Sequence, residues 1–149
     1  MLIPPVQDGQ EPVSSARLRV LLADDHHDLL ADISDFLSRE FEIVGVAGDG
    51  ASLVELAARL RPDVVVTDLQ MPKLGGIDAG RKILDAGLCK AVVVLTIFAD
   101  ARLAKVALQA GIRGYVLKLN AGEDLIPAIS RALQGETFVS SAIALKMDG

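Results

Sequence analysis

Two apolar runs that end in aspartate constrain the fold of this chain more than any other feature. Residues 64–67 read Val-Val-Val-Thr and are followed by Asp68, and residues 19–23 read Arg-Val-Leu-Leu-Ala and are followed by Asp24 and Asp25. Short apolar runs bounded by turn-forming residues are typical of strands that are buried in a parallel sheet. Open α/β sheets bind their ligands beyond the carboxyl ends of such strands. The sequence therefore predicts three carboxylates at one edge of a parallel sheet.

Three carboxylates at one edge need a compensating positive charge. At about 5 Å and an effective dielectric constant of about 20, each pair of carboxylates repels by about 3 kcal/mol. A divalent cation held by oxygen ligands removes this repulsion, and Mg²⁺ is an ion of that kind. A single Asp after a strand is more often a turn former or a helix cap. The pairing of two such strand ends favours the cation site.

The composition fits one compact domain and excludes several classes of function. The chain has 149 residues, enough for one ordinary domain, and 51% of them are hydrophobic but only 3% aromatic, so the core must be aliphatic. The net charge of −5 argues against autonomous nucleic-acid binding, which usually needs a basic face. The single cysteine, Cys89, permits no internal disulfide, so a cytoplasmic location is expected. No apolar stretch approaches the roughly 18 residues of a membrane span, so no membrane contact is expected.

The order of strand and helix patterns predicts the architecture. Residues 1–17 are rich in Pro, Gln, Ser and Gly and predict a flexible tail. After them, five strand patterns alternate with five helix patterns, which predicts an α/β fold with a single doubly wound parallel sheet and helices on both faces. The expected strand order is the flavodoxin-like 2-1-3-4-5.

This strand order brings polar residues from four strands to one pocket. The first and third strands are neighbours in it, so Asp24, Asp25 and Asp68 are expected side by side. The fourth strand ends at Thr96 and the fifth is followed by Lys118, which adds a hydroxyl and an ammonium group to the same edge.

Pro127 predicts a late start for the last helix. A start near Ala121 would place the proline in the second turn, where it removes a backbone hydrogen bond. With Asp124 as the N-cap, the proline would lie in the first turn, where a missing N–H costs little. We therefore expect a late start for this helix, with Asp124 as its N-cap.

This combination of residues resembles the receiver domain of two-component response regulators. The matching residues are Asp24-Asp25, Asp68 with Met71-Pro72 and Gly75-Gly76, Thr96, and Lys118 preceded by Tyr115. The resemblance covers residues 18–136, which we take as the bounds of the domain. Residues 110–118 and 135–140 resemble the NarL/FixJ branch of the family.

The resemblance implies a phosphorylation site with a bound metal ion. Asp68 is expected to accept a phosphoryl group from a histidine kinase, with Mg²⁺ as the cofactor. Asp25 is expected to bind the ion directly, as is Asp68 itself, and Asp24 mainly through a metal-bound water. The backbone carbonyl of Gln70 is the remaining expected ligand. Such a protein catalyses only its own phosphorylation and dephosphorylation, so no other enzyme activity is expected.

The resemblance also implies how the site would signal. Lys118 is expected to pair first with Asp68 and then with a phosphoryl oxygen. Thr96 is expected to donate a hydrogen bond to the phosphoryl group and to shift toward it. Tyr115 would follow by turning inward, which would change the surface formed by the fourth helix, the last strand and the last helix.

The end of the chain leaves the output of the domain open. Members of the NarL/FixJ branch usually continue through a linker into a helix-turn-helix domain, and residues 137–149 are expected to be only a linker stub. Contact with DNA would then require a domain beyond this chain, which leaves a histidine kinase and a second phosphorylated copy as the expected partners. A stand-alone receiver or phosphorelay protein that acts through protein contacts fits the same residues, and the sequence does not decide between these possibilities.

Three other interpretations of the pocket share parts of the pattern. A haloacid-dehalogenase-type phosphatase needs a second Asp two positions after its nucleophile, where this chain has Gln70. A phosphorylation-independent pseudo-receiver usually lacks an acidic or lysine position, and none is missing here. His26 and His27 raise the alternative of a transition metal, but adjacent residues rarely face one ion, so we expect both in the turn that leads into the first helix.

Overall fold

Residues 17–148 are described in a computed structural model of the chain, and they form six strands and six α-helices. The strands are β1 (Arg19–Ala23), β2 (Glu42–Ala47), β3 (Val64–Thr67), β4 (Ala91–Thr96), β5 (Gly114–Leu117) and β6 (Phe138–Val139). The helices are α1 (His27–Leu37), α2 (Gly50–Leu60), α3 (Gly76–Asp85), α4 (Ala101–Gln109), α5 (Ala121–Leu133) and α6 (Ser141–Asp148), with a 3₁₀ turn at Lys118–Asn120. The flexible tail predicted for residues 1–17 lies, except for Arg17, outside the described residues.

The strands form one parallel sheet in the order β2-β1-β3-β4-β5-β6. The predicted order of the first five strands is confirmed, whereas the sixth strand was not predicted. β1 pairs with β3 so that Ala23 lies opposite Thr67. The next residues along the two strands, Asp24 and Asp68, therefore leave the sheet side by side.

Aliphatic side chains fill both faces of the sheet. Every residue of β3 and β4 is buried, as expected for strands that are covered on both sides. Fully buried residues on the face of α2, α3, α4 and α6 include Leu53, Ile83, Ala107 and Ile143, and those on the face of α1 and α5 include Leu37, Leu125 and Ile129. Across residues 17–148, none of the helices combines the length and the apolar character needed to cross a membrane.

The last long helix, α5, begins at Ala121 rather than after Asp124, so the predicted late start was wrong. Pro127 consequently lies in the second turn of the helix. The carboxylate of Asp124 accepts a hydrogen bond from the Ser140 hydroxyl at 2.7 Å and is thus used in a tertiary contact. Burial of Ala121 and Leu125 against the sheet favours the additional turn and outweighs the missing backbone hydrogen bond.

Residues 138–148, where a linker was expected, form a strand and a helix that pack on the rest of the domain. β6 pairs with β5, with Phe138 opposite Gly114 and Val139 opposite Tyr115. Helix α6 then packs beside α4 and buries Ile143 completely. A strand of two residues is too short to show a period of two, and α6 is only weakly amphipathic, so the sequence carried little signal for either. The ordered structure therefore continues beyond the predicted boundary at residue 136.

Candidate functional site

The carboxyl edge of the sheet brings together the predicted acidic residues and the predicted lysine. Nζ of Lys118 lies 2.7 Å from Oδ2 of Asp24 and 3.2 Å from Oδ2 of Asp68. The side chains of Asp24 and Asp68 are each 7% exposed and that of Lys118 is 11% exposed, whereas Asp25 is 37% exposed. Lys118 thus divides its charge between two buried carboxylates and is closer to Asp24 than to the expected partner, Asp68.

The backbone around Asp68 is fixed by the close approach of α3. The Asp68 N–H donates to the carbonyl of Ala23 at 2.9 Å, and Asp68 Oδ1 accepts from the Leu69 N–H at 2.7 Å. A Cβ atom at Gly76 would lie 1.8 Å from the Asp68 carbonyl oxygen, so only glycine allows α3 to begin there. The glycine pair noted in the sequence therefore serves to hold α3 against the end of β3.

Burial and neighbouring charges shift the pKa values of the two buried carboxylates, Asp24 and Asp68, in opposite directions. Burial raises the pKa of Asp68, and Lys118 offsets this effect only in part, so the pKa remains above its ordinary value. Burial also raises the pKa of Asp24, but hydrogen bonds from Lys118 and His26 outweigh it and leave the pKa below the ordinary value. Burial lowers the pKa of Lys118, but the Asp24 and Asp68 contacts leave it raised, so the amine stays charged. Asp68 is therefore a stronger base than Asp24.

His26 is a member of the site that sequence analysis assigned only to a turn. Its Nδ1 lies 3.0 Å from Asp24 Oδ1 and 3.1 Å from Asp25 Oδ1, and its backbone N–H donates to the same Asp24 oxygen. The hydrogen bond with Asp24, followed by the charges of Asp25 and Asp24, raises the pKa of His26. The spacing Asp-x-His could have indicated this contact, because an Asp side chain commonly accepts from the backbone two residues later. His27 begins α1 and lines the same cleft.

The side chains of the pocket suit a hard divalent cation. One ligand atom from each of Asp24, Asp25, His26 and Asp68 can be chosen so that all four lie within 4.8 Å of one another. Three of the four are carboxylate oxygens, which are the ligands that Mg²⁺ prefers. The ion pairs of Lys118 involve Asp24 and Asp68 and leave Asp25 as the carboxylate outside them. Gln70 lines the same cleft, where its backbone carbonyl was predicted to be a ligand.

Thr96 and Tyr115 both hold the backbone of Phe98. The fully buried Thr96 accepts a hydrogen bond from the Phe98 N–H at 3.1 Å, and the Tyr115 hydroxyl donates to the Phe98 carbonyl at 2.9 Å. Tyr115 is completely buried, so the inward position expected only after phosphorylation is already present. Burial, with smaller contributions from Asp100 and Asp68, raises the pKa of Tyr115 to about 12, so its hydroxyl remains a donor.

Comparisons with known proteins agree with this geometry. Residues 20–130 match the family model of the response regulator receiver domain. The chain is 42% identical over 116 residues to the transcriptional regulatory protein PdtaR of Mycobacterium tuberculosis, covering 77% of this chain and 56% of PdtaR. It is 33% identical over 137 residues to the nitrate/nitrite response regulator protein NarL of Escherichia coli, covering 91% of this chain and 61% of NarL. The chain thus spans little more than half the length of these relatives.

A similar solved structure places the fold in the same family. The crystal structure of a LuxR-family two-component response regulator from Aurantimonas superposes with a TM-score of 0.83 at 30% identity, covering 89% of this chain and 96% of that one. The family match, the relatives and this fold all indicate the same family. The chain therefore belongs to the response regulator receiver domain family and is related to transcriptional regulators of the NarL and LuxR type.

Proposed function

We propose that this receiver domain accepts a phosphoryl group on Asp68 from a histidine kinase, with Mg²⁺ as the assisting ion. The observation that carries the proposal is the buried, basic carboxylate of Asp68 at a strand end, in contact with Lys118. Burial disfavours the ionised carboxylate, and formation of an acyl phosphate moves that charge outward onto phosphoryl oxygens. The pocket thus destabilises the free carboxylate of Asp68, and the Lys118 ammonium would stabilise the phosphorylated product.

The expected reaction is a displacement at phosphorus. An oxygen of Asp68 forms a bond to phosphorus while the bond from phosphorus to the kinase histidine breaks, and the imidazole nitrogen keeps the electron pair. Lys118 would exchange its contact with Asp68 Oδ2 for a phosphoryl oxygen, while the Leu69 N–H continues to hold Oδ1. A bound Mg²⁺ would neutralise charge on the phosphoryl oxygens. Its proposed ligands are Asp24, Asp25, Asp68 and the Gln70 carbonyl.

Thr96 supplies a route from the phosphoryl group to the surface. Its hydroxyl oxygen accepts from the Phe98 N–H, which leaves its proton free to donate to a phosphoryl oxygen. A shift of Thr96 toward that oxygen would therefore carry the Phe98 peptide along. Because Tyr115 donates to the carbonyl of the same residue, Phe98, the two predicted switch residues would move together.

The similarity to PdtaR, a transcriptional regulatory protein, supports a role in gene control. We propose that phosphorylation controls transcription through a longer protein or a partner, and that a second copy associates with the phosphorylated form. A stand-alone receiver or phosphorelay protein is the alternative output. The cytoplasmic location predicted from the single cysteine is part of the same proposal.

Intact-mass spectrometry with acetyl phosphate and Mg²⁺ tests the nucleophile. We expect one added phosphoryl group on the wild type, none on Asp68→Asn, and wild-type labelling on the control Asp85→Asn, at the far end of α3. The adduct should be lost in alkali or hydroxylamine, as an acyl phosphate is. Labelling that persists on Asp68→Asn would show a different acceptor. An unlabelled wild type would favour the phosphorylation-independent pseudo-receiver.

Calorimetric titration with Mg²⁺ tests the metal ligands. Asp25→Asn should lose most of the binding, because it removes the carboxylate that Lys118 leaves unpaired. Asp32→Asn, at an exposed acid in the second turn of α1, is the matched control and should bind as the wild type does. Equal affinities of the wild type and Asp25→Asn would contradict the proposed ligand.

A further inference from the structure

The segment formed by β6 and α6, residues 138–148, contacts both parts of the receiver that carry the predicted switch. One contact is at the end of β5, directly before Lys118, and the other is in the loop that follows Thr96. The Tyr115 side chain already points inward, because it is buried and hydrogen-bonded to the Phe98 carbonyl. Beyond the movement of Thr96 and Tyr115, a change in the pocket can therefore also reach the surface through this segment, which contacts both starting points.

Ser140 joins the segment to the strand that positions Lys118. Its fully buried hydroxyl accepts from the Leu117 N–H at 3.1 Å and donates to Asp124 Oδ2 at 2.7 Å. Its own N–H donates to the Tyr115 carbonyl at 3.0 Å. A buried hydroxyl that is fully bonded cannot lose one partner without cost. Movement of the end of β5 must therefore either move Ser140 with it or break a buried hydrogen bond.

Helix α6 makes the second contact next to Phe98, whose N–H and carbonyl are bonded to Thr96 and Tyr115. Nζ of Lys146 donates to the Ala99 carbonyl at 3.2 Å, one residue after Phe98. Ile143, which is fully buried, belongs to the same apolar cluster as Tyr115. A displacement of the loop after Thr96 therefore alters the surface on which α6 rests.

We propose that residues 138–148 sense the phosphorylation state of Asp68, with Ser140 as a positioning residue for Lys118. This inference rests on the proposed function. A phosphoryl group attracts Lys118 and Thr96 into the pocket and so strains the contacts of Ser140 and Lys146, which loosens the segment. Coupling of this kind is reciprocal, so a segment that is loosened by mutation must favour the phosphorylated arrangement. The docked segment thus restrains activation, and its release is the signal that leaves the domain.

Hydrogen exchange of the full chain, in Mg²⁺ alone and with beryllofluoride as the phosphoryl mimic, tests the coupling. In the wild type, beryllofluoride should speed the exchange of amides in residues 138–147 by about fivefold, the lower end of typical coupling factors. Ser140→Ala should exchange rapidly there without the mimic and should bind beryllofluoride about fivefold more tightly. Tighter binding separates a positioning role from mere loss of stability, which would leave the affinity unchanged or weaker.

Neighbouring substitutions provide controls and a second variant. Ser141→Ala, at an exposed neighbouring position, should behave like the wild type, as should Lys105→Met on α4. Lys146→Met removes only a surface contact and should shift both measurements in the same direction as Ser140→Ala, by a smaller factor. If Ser140→Ala does not fold, the results for Lys146→Met test the proposed coupling instead.

The possible outcomes separate this inference from the proposed function. If beryllofluoride perturbs Leu69 and Lys118 but leaves exchange at residues 138–147 unchanged, the coupling is refuted and the phosphorylation site stands. Wild-type affinity for beryllofluoride in both Ser140→Ala and Lys146→Met would also refute it. If the wild type does not bind beryllofluoride at all, the proposed function and this inference fall together.

Discussion

The interior of the sheet and its carboxyl edge are built in opposite ways. β3 and β4 bury aliphatic side chains, and each square ångström of apolar surface buried there stabilises the fold by about 25 cal/mol. The edge instead buries Asp24, Asp68 and Lys118, and the desolvation of such charges can exceed their mutual attraction. The interior therefore stabilises the fold, whereas the buried charges at the edge serve the site and not the stability of the protein. Substitutions in the interior should therefore lower stability without changing Mg²⁺ binding, whereas substitutions at the edge can change stability in either direction.

The largest loss of stability is expected in the interior. Ile83→Ala in α3 should lower the free energy of unfolding by about 4 kcal/mol, because it removes a fully buried side chain and leaves a cavity. Ile83→Val, the conservative control, should cost about 1 kcal/mol. Urea unfolding measures both, and Mg²⁺ affinity of the folded protein should not change. Loss of Mg²⁺ binding in Ile83→Ala would show that the interior and the edge are not separable.

A smaller loss is expected when the edge loses its cation. Lys118→Met should lower the free energy of unfolding by about 2 kcal/mol at neutral pH, because it leaves buried Asp24 and Asp68 without their shared partner. Lys90→Met breaks an exposed pair with Asp63 and should cost less than about 1 kcal/mol. Equal costs for the two variants would mean that the buried pair is no more important than a surface one.

Asp68→Asn should change stability in the opposite direction. The pKa of Asp68 is raised in the folded state, so the ionised carboxylate costs stability above that pKa, and the cost disappears as the pH falls through it. The substitution should therefore stabilise the protein at neutral pH, by up to about 2 kcal/mol, and this gain should shrink in acid. Asp85→Asn is the control and should change stability by less than about 0.5 kcal/mol. If Asp68→Asn were less stable than the wild type, the buried Asp68 carboxylate would not be a cost to the stability of the fold.

The smallest effect concerns His26 at the rim of the pocket. Its pKa is raised mainly by the hydrogen bond with Asp24, so Asp24→Asn should lower it, with Asp28→Asn as the control. NMR titration of the imidazole protons in metal-free protein measures the shift directly. An identical pKa in the wild type and Asp24→Asn would show that the contact contributes nothing in solution.

The parts of the fold that were predicted correctly share a strong local signal. Three or more consecutive buried apolar residues identify β1, β3 and β4, and the glycine pair before α3 and the acids at the strand ends locate the pocket. The start of α5 was predicted wrongly because the Asp124 carboxylate accepts a hydrogen bond from Ser140, sixteen residues away, instead of capping the helix. The contact of His26 with Asp24 was missed because Asp and His at this spacing suit an ordinary turn equally well.

The sequence alone was enough to predict the order of the first five strands and to place Asp24, Asp25, Asp68 and Lys118 at one edge, because hydrophobic runs and short connections leave few possible topologies. Only the tertiary structure showed how these charges are paired. Once the strands are in place, the Lys118 ammonium lies closer to the carboxylate of Asp24 than to that of Asp68. Tertiary structure also decided that residues 138–148 join the domain, because β6 and α6 gain their stability from contact with β5 and α4. Elements this short have little stability of their own, so their place follows from packing.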